Sequence, residues 1–194
     1  VIGFINYAVD ETLIRYTSYA LGKNDKRLAA NYFKYILKKK IIFTIISAVL
    51  ILIFAYPLSV YIFKKPFLFL PLFVSGFYIL ILGIQNSYES LFYVFKELRK
   101  RTLKELLKQV LRILIIISIF LFVARSYYVV GIIFGLILTN VIVFIFIIWY
   151  VKRFAGVIFK EKVEKKFDKK KINKFMLHLL CVGGLGTTYI DILM

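Results

Sequence analysis

The chain is poor in the residues that cross-link, hold metals and interrupt helices: its 194 residues include one Cys, one His and three Pro. A lone cysteine, Cys181, excludes an internal disulfide. With one histidine, His178, a two-histidine metal site cannot form within the chain. No phosphate-binding glycine loop and no nucleophile triad is present, so no catalytic residues, metal or cofactor are expected, and the protein is not expected to be an enzyme. Acidic residues are also scarce, 10 against 28 Lys and Arg, which leaves a net charge of +18.

Apolar residues are abundant. They make up 61% of the chain, against roughly 45–50% in a soluble domain. Such a chain can be both this apolar and this basic if the two kinds of residue are segregated along it, as a bilayer requires. Residues 41–63, 66–88 and 126–151 hold no charge at all. A spanning helix needs about 20 apolar residues, whereas barrel strands are about half that length and alternate with period two. These runs are therefore expected to be helices in an all-α, polytopic transmembrane bundle. Crossings are expected at about 1–21, 41–63, 66–92, 109–125, 127–150 and 175–194. Pro57 and Pro71 are expected to kink their helices, and Gly131, Gly135 and the glycines at 183, 184 and 186 to mark close helix packing.

The basic residues orient these helices. Segments 22–40, 94–112 and 151–174 carry seven, seven and ten Lys or Arg, while the alternate connections hold only Lys64, Lys65 and Arg125. Basic loops stay cytoplasmic, so the three rich segments are assigned to the cytoplasm and the protein to the cytoplasmic membrane. Leu103, Leu106, Leu107, Val110, Leu111 and Leu114 recur at helical spacing among lysines and arginines, the pattern of an amphipathic helix at the interface. Segment 151–174 reads as a solvated basic linker. This basicity fits orientation and attraction to anionic membrane lipids, and no nucleic-acid motif accompanies it. The first residues show no charged leader with a cleavage site, so no signal peptide is expected. Because the chain opens on Val1 and both ends fall within apolar segments, it is expected to be a piece of a longer protein.

Polar residues inside the apolar segments are the candidate functional groups, since an ionisable side chain at bilayer depth normally faces a cavity or a partner. Asn6 and Asp10 are four residues apart and share a helix face; Glu11 and Arg15, also four apart, could neutralise one another. Gln85, Asn86, Ser87 and Glu89 form a second cluster, at a depth the headgroup region tolerates. Asp191, late in the last helix, fits either a central cavity or the outer surface, and His178 one turn into that helix fits a structural role.

Gly3, the run Leu13-Ile14-Arg15-Tyr16 and the run Gly22-Lys23-Asn24-Asp25 resemble the second-helix region of polysaccharide flippases in the multidrug/oligosaccharidyl-lipid/polysaccharide exporter superfamily. The C-terminal stretch through Ile190-Asp191 is similar to the seventh helix of that family, with His178-Leu179-Leu180 near the position of its usual Ser-Leu-Pro. The resemblance implies a MATE-like fold of two lobes. Residues 1–150 would form a partial N-terminal six-helix lobe, 151–174 the cytoplasmic linker, and 175–194 the truncated first helix of the second lobe. It also implies alternating access for a polyprenyl-linked sugar substrate, with Arg15 meeting the phosphate and Asn6, Asp10 and Asn140 the sugar. The partners would be that substrate, membrane lipids and the remainder of the transporter chain. A cation-coupled drug or metabolite exporter of the same superfamily would instead use Asp10, Glu11 or Asp191 as ion sites. A polytopic glycosyltransferase or ligase would need a large extracytoplasmic loop, which the short alternate connections do not provide.

Overall fold

The computed structural model describes residues 2–122, 127–160 and 167–193, with side chains described for 7–122, 127–156, 158–159 and 167–182. Among them there is no strand. The helices are α1 (Ile2–Gly22), α2 (Lys26–Pro57), α3 (Phe69–Val94), α4 (Leu98–Phe122), α5 (Tyr128–Phe154), the short α6 (Gly156–Lys160) and α7 (Lys169–Leu193). Three stretches, Lys26–Ile62, Pro66–Val94 and Tyr128–Phe154, are long and apolar enough to cross a membrane. The other expected crossings fall on α1, α4 and α7, which mix apolar with charged residues.

Segment 22–40, expected as a connection, is mostly helix, and α4 opens within 94–112, where an amphipathic helix was expected. α2 begins at Lys26 and runs for 32 residues, about 48 Å at the helical rise, against a hydrocarbon core of about 30 Å. Its basic first half is therefore an extension of the membrane-length helix. The chain reverses on either side by compact helix caps. Asn24 adopts a left-handed φ of 58°, and the Asp25 N–H donates to the Ala20 carbonyl. Lys96 repeats this geometry, with the Glu97 N–H donating to Phe92. Both satisfy carbonyls that a helix end would otherwise leave unpaired. The Asp25 carboxylate then accepts from the Leu28 N–H at 2.8 Å and caps α2. At the opposite end of the bundle Pro57 closes α2, and the chain passes through a π-turn at Leu58–Ile62 and a short 3-10 turn at Pro66–Leu68 into α3.

α3 is central and packs against α1, α2, α4 and α5; α7 packs on α1, and α6 on α2. The antiparallel order brings the ends of α1, α3 and α5 and the starts of α2, α4 and α7 together at one basic end. The buried core lies towards that end and includes Leu13, Phe33, Ile36, Phe92, Ile147 and Ile158. Beyond it the bundle turns its apolar residues outward: Ile53, Leu70, Phe120 and Ile145 are exposed, as expected of helices whose solvent is lipid. Segment 151–174 departs from the solvated linker expected of it. Val151, Ala155, Ile158 and Ile172 are buried, Phe159 meets Phe33 at 5.6 Å, and Phe167 meets Tyr32 at 5.8 Å. Apolar residues interleaved with its lysines pack on α1 and α2, because leaving them in water is unfavourable.

Candidate functional site

Tyr7, Asp10, Glu11 and Ile14 recur at three- and four-residue spacing and so lie along one face of α1. Asn86, Glu89, Ser90 and Tyr93 do the same on α3. With Arg101 of α4, these faces line an open cavity of about 500 Å³.

Two of the wall carboxylates are backed by buried lysines from a neighbouring helix. Lys40 of α2 donates from Nζ to Oδ2 of Asp10 at 2.7 Å, and its own side chain is fully buried. Lys104 of α4, equally buried, lies 2.8 Å from Oε2 of Glu89 and donates to Glu105 at 2.9 Å. Gln85, buried one turn before Glu89, donates to Oε1 of Glu89 at 2.7 Å. Oδ1 of Asp10 and Oε1 of Gln85 are buried without a hydrogen-bond partner. On the basic first half of α4, the Lys104 ammonium holds the Glu105 carboxyl below the ordinary carboxylate range. Arg101 lies 4.4 Å over the Tyr93 ring and has no carboxylate partner among the described residues.

The structure thus joins the two polar clusters of the sequence. Asp10 and Glu11 face Asn86 and Glu89 across one cavity, although the latter pair had been read only as tolerated near headgroups. Arg15 is placed elsewhere. Its guanidinium stands 4.4 Å over Phe175 of α7, and it lines a smaller cleft with Tyr16, Tyr19 and Lys171. Arg15 is therefore held by an aromatic ring on α7 and does not pair with Glu11. Asn140 is fully buried in α5, where Nδ2 donates to the Leu136 carbonyl at 2.7 Å and Oδ1 has no partner. It does not line the cavity. Asn6 and Asp191 sit on α1 and α7, with side chains outside the described residues.

Sequence reasoning missed Lys40, Lys104 and Arg101, all counted as topological charge. For Lys40 a signal existed. Ala29, Phe33, Ile36 and Lys40 follow one helical stripe, so a lysine occupies a core position of α2. Lys104 lies opposite the outward-facing leucines of α4, on the face that meets the bundle.

The cavity can do several things chemically. Carboxylate and amide oxygens accept hydrogen bonds from hydroxyls, Tyr7 and Tyr93 offer aromatic faces, and Arg101 offers a planar cation suited to phosphate. Among the described residues no group of three His, Cys, Asp or Glu is placed to hold a metal. No family model, curated protein or solved structure matches the chain.

Proposed function

We propose that the chain forms the N-terminal lobe of a two-lobe transporter that moves lipid-linked oligosaccharide or polysaccharide repeat units across the cytoplasmic membrane by alternating access. The observation that carries this reading is the cavity between α1, α3 and α4. Hydrogen-bonding groups, two tyrosines and an arginine without a carboxylate partner line it, in a bundle whose outer faces are apolar. A glycolipid has matching parts: hydroxyls for Asp10, Glu11, Asn86 and Glu89, a phosphate for Arg101, and a tail that stays in the bilayer. The Arg15-Tyr16 and Gly22–Asp25 motifs support the same family. In this reading the basic end faces the cytoplasm and receives the cargo. Lys40 and Lys104 pair with Asp10 and Glu89 at 2.7 and 2.8 Å, so each carboxylate has a partner of opposite charge beside it.

A cation-coupled exporter is the second reading, favoured by three carboxylates, Asp10, Glu11 and Glu89, lining one cavity. One experiment separates the two. The full-length parent protein is expressed in a flippase-null strain, and restoration of surface polysaccharide is measured. Arg101→Ala is expected to abolish restoration at wild-type membrane levels, and Lys64→Ala, at the other end of the bundle, to leave it intact. Full restoration by Arg101→Ala, or loss confined to Arg15→Ala, would overturn the cavity assignment. Failure of the wild-type protein to restore polysaccharide, with drug or metabolite efflux that collapses with the proton or sodium gradient, favours the exporter.

A further inference from the structure

A second cavity, on the outer side of the bundle, has lipid chemistry. The first turns of α4 and the last turns of α5 enclose about 650 Å³ lined by Arg99, Lys100, Thr102, Leu103, Leu106 and Tyr150. We infer that this groove binds one anionic phospholipid, its phosphodiester held by Arg99 and Lys100 and its acyl chains laid along α4. The inference rests on the membrane reading alone and is independent of what the cavity between α1, α3 and α4 carries.

Three observations converge on it. The first is depth. Trp149, beside Tyr150, is half exposed, and the Arg153 guanidinium lies 4.3 Å over its ring, directly where the apolar run of α5 ends. Tryptophan and tyrosine with arginine or lysine mark the headgroup level of a bilayer. Because Tyr150 shares the groove with Arg99 and Lys100, those cations stand at the same level. The second observation is direction. Leu103, Leu106, Val110 and Leu114 are exposed at helical spacing and lead from the groove away from the basic end. They form an apolar track for acyl chains.

The third observation is charge. Among the groove's cations Lys100 pairs with Glu97 at 3.0 Å, with both side chains about a third exposed. Arg99 has no carboxylate partner among the described residues, so the groove keeps a positive balance. Arg99 supplies a forked donor and Lys100 a point charge, and Tyr150 lines the same groove. A zwitterionic headgroup would bring its own ammonium against these cations, whereas an anionic one would not.

The full-length protein is purified with equimolar phosphatidylglycerol and phosphatidylcholine, and retained lipid is counted by native mass spectrometry. Wild type is expected to retain phosphatidylglycerol preferentially. Arg99→Gln with Lys100→Gln should lower that retention about thirty-fold, taking about 1 kcal/mol for each basic residue at an anionic surface. Arg99→Lys with Lys100→Arg, and Lys64→Gln with Lys65→Gln, should leave it unchanged. Arg99 is exposed and Lys100 half-buried, so the core is untouched, and thermal unfolding of the glutamine variant should match wild type. Equal retention by the glutamine variant, equal retention of phosphatidylcholine, or equally tight binding of glycerol phosphate without chains would overturn the assignment.

Discussion

Lys40 and Lys104 show how much a single residue's setting changes its meaning. By composition they are two of 28 basic residues, alike in any count of charge along the chain. In the folded bundle both are buried, and each neutralises a carboxylate of the cavity wall from behind. Removing one member of a buried pair leaves the other charge without its main compensation, at a typical cost of about 3–5 kcal/mol, while replacing both with apolar residues is often close to neutral. Lys40→Met is therefore expected to destabilise the protein by that amount, and Asp10→Leu combined with Lys40→Met to recover most of it. Thermal unfolding of the two single variants and the double variant in detergent measures the coupling. Additive losses would mean that the pair contributes nothing beyond its separate side chains. Had Lys40 been placed on the helical stripe of Ala29, Phe33 and Ile36, the sequence would have flagged it. Its partner would have stayed unknown, because nothing local links residue 40 to residue 10.

At the scale of the helix, close packing sets the distances between walls. Gly83 of α3 faces Thr44 of α2 so closely that an added Cβ would lie 2.5 Å from Thr44 Cγ2 and 2.6 Å from its hydroxyl. Thr44 is β-branched and stiff at χ1, so it cannot swing aside cheaply. Gly83→Ala should destabilise the protein by about 1–3 kcal/mol, the usual range for overpacking, and Thr44→Ala in the same chain should relieve most of the loss. At Gly76 the neighbour is the end of the flexible Leu52 side chain, at 2.9 Å, and alanine there should cost clearly less. Thermal shifts of the three variants rank these effects; a larger loss at Gly76 would contradict the packing argument. Gly135 plays the same part between α5 and α4, where Ile115 and Ile119 close over it. Of these three, only Gly135 was read from the sequence as a packing site. Gly76 and Gly83 were not, and no partner was, because helix pairing depends on contacts between residues far apart in the chain.

Across the whole molecule, the antiparallel helices gather basic residues at one end and leave Lys64 and Lys65 at the other. The prediction at this scale is orientation. With Cys181, the chain's single free cysteine, replaced by serine, a cysteine at position 64 should react with an impermeant maleimide on intact cells. One at position 96 should react only after the membrane is opened. The reverse pattern would invert the topology and the direction of transport proposed above. Helicity, apolar runs and charge bias were all determined by the sequence alone, because each follows from local composition: a long uncharged run has few ways to satisfy its backbone in lipid except as a helix. The tight caps at Asn24 and Lys96, the burial within 151–174 and the separation of Arg15 from Asp10 were decided only by the tertiary structure. So was the cavity itself, since it exists where faces of α1, α3 and α4 meet. The pairing of Asp10 with Lys40 and of Glu89 with Lys104 depends on which helices become neighbours, and that is settled by packing over the whole bundle.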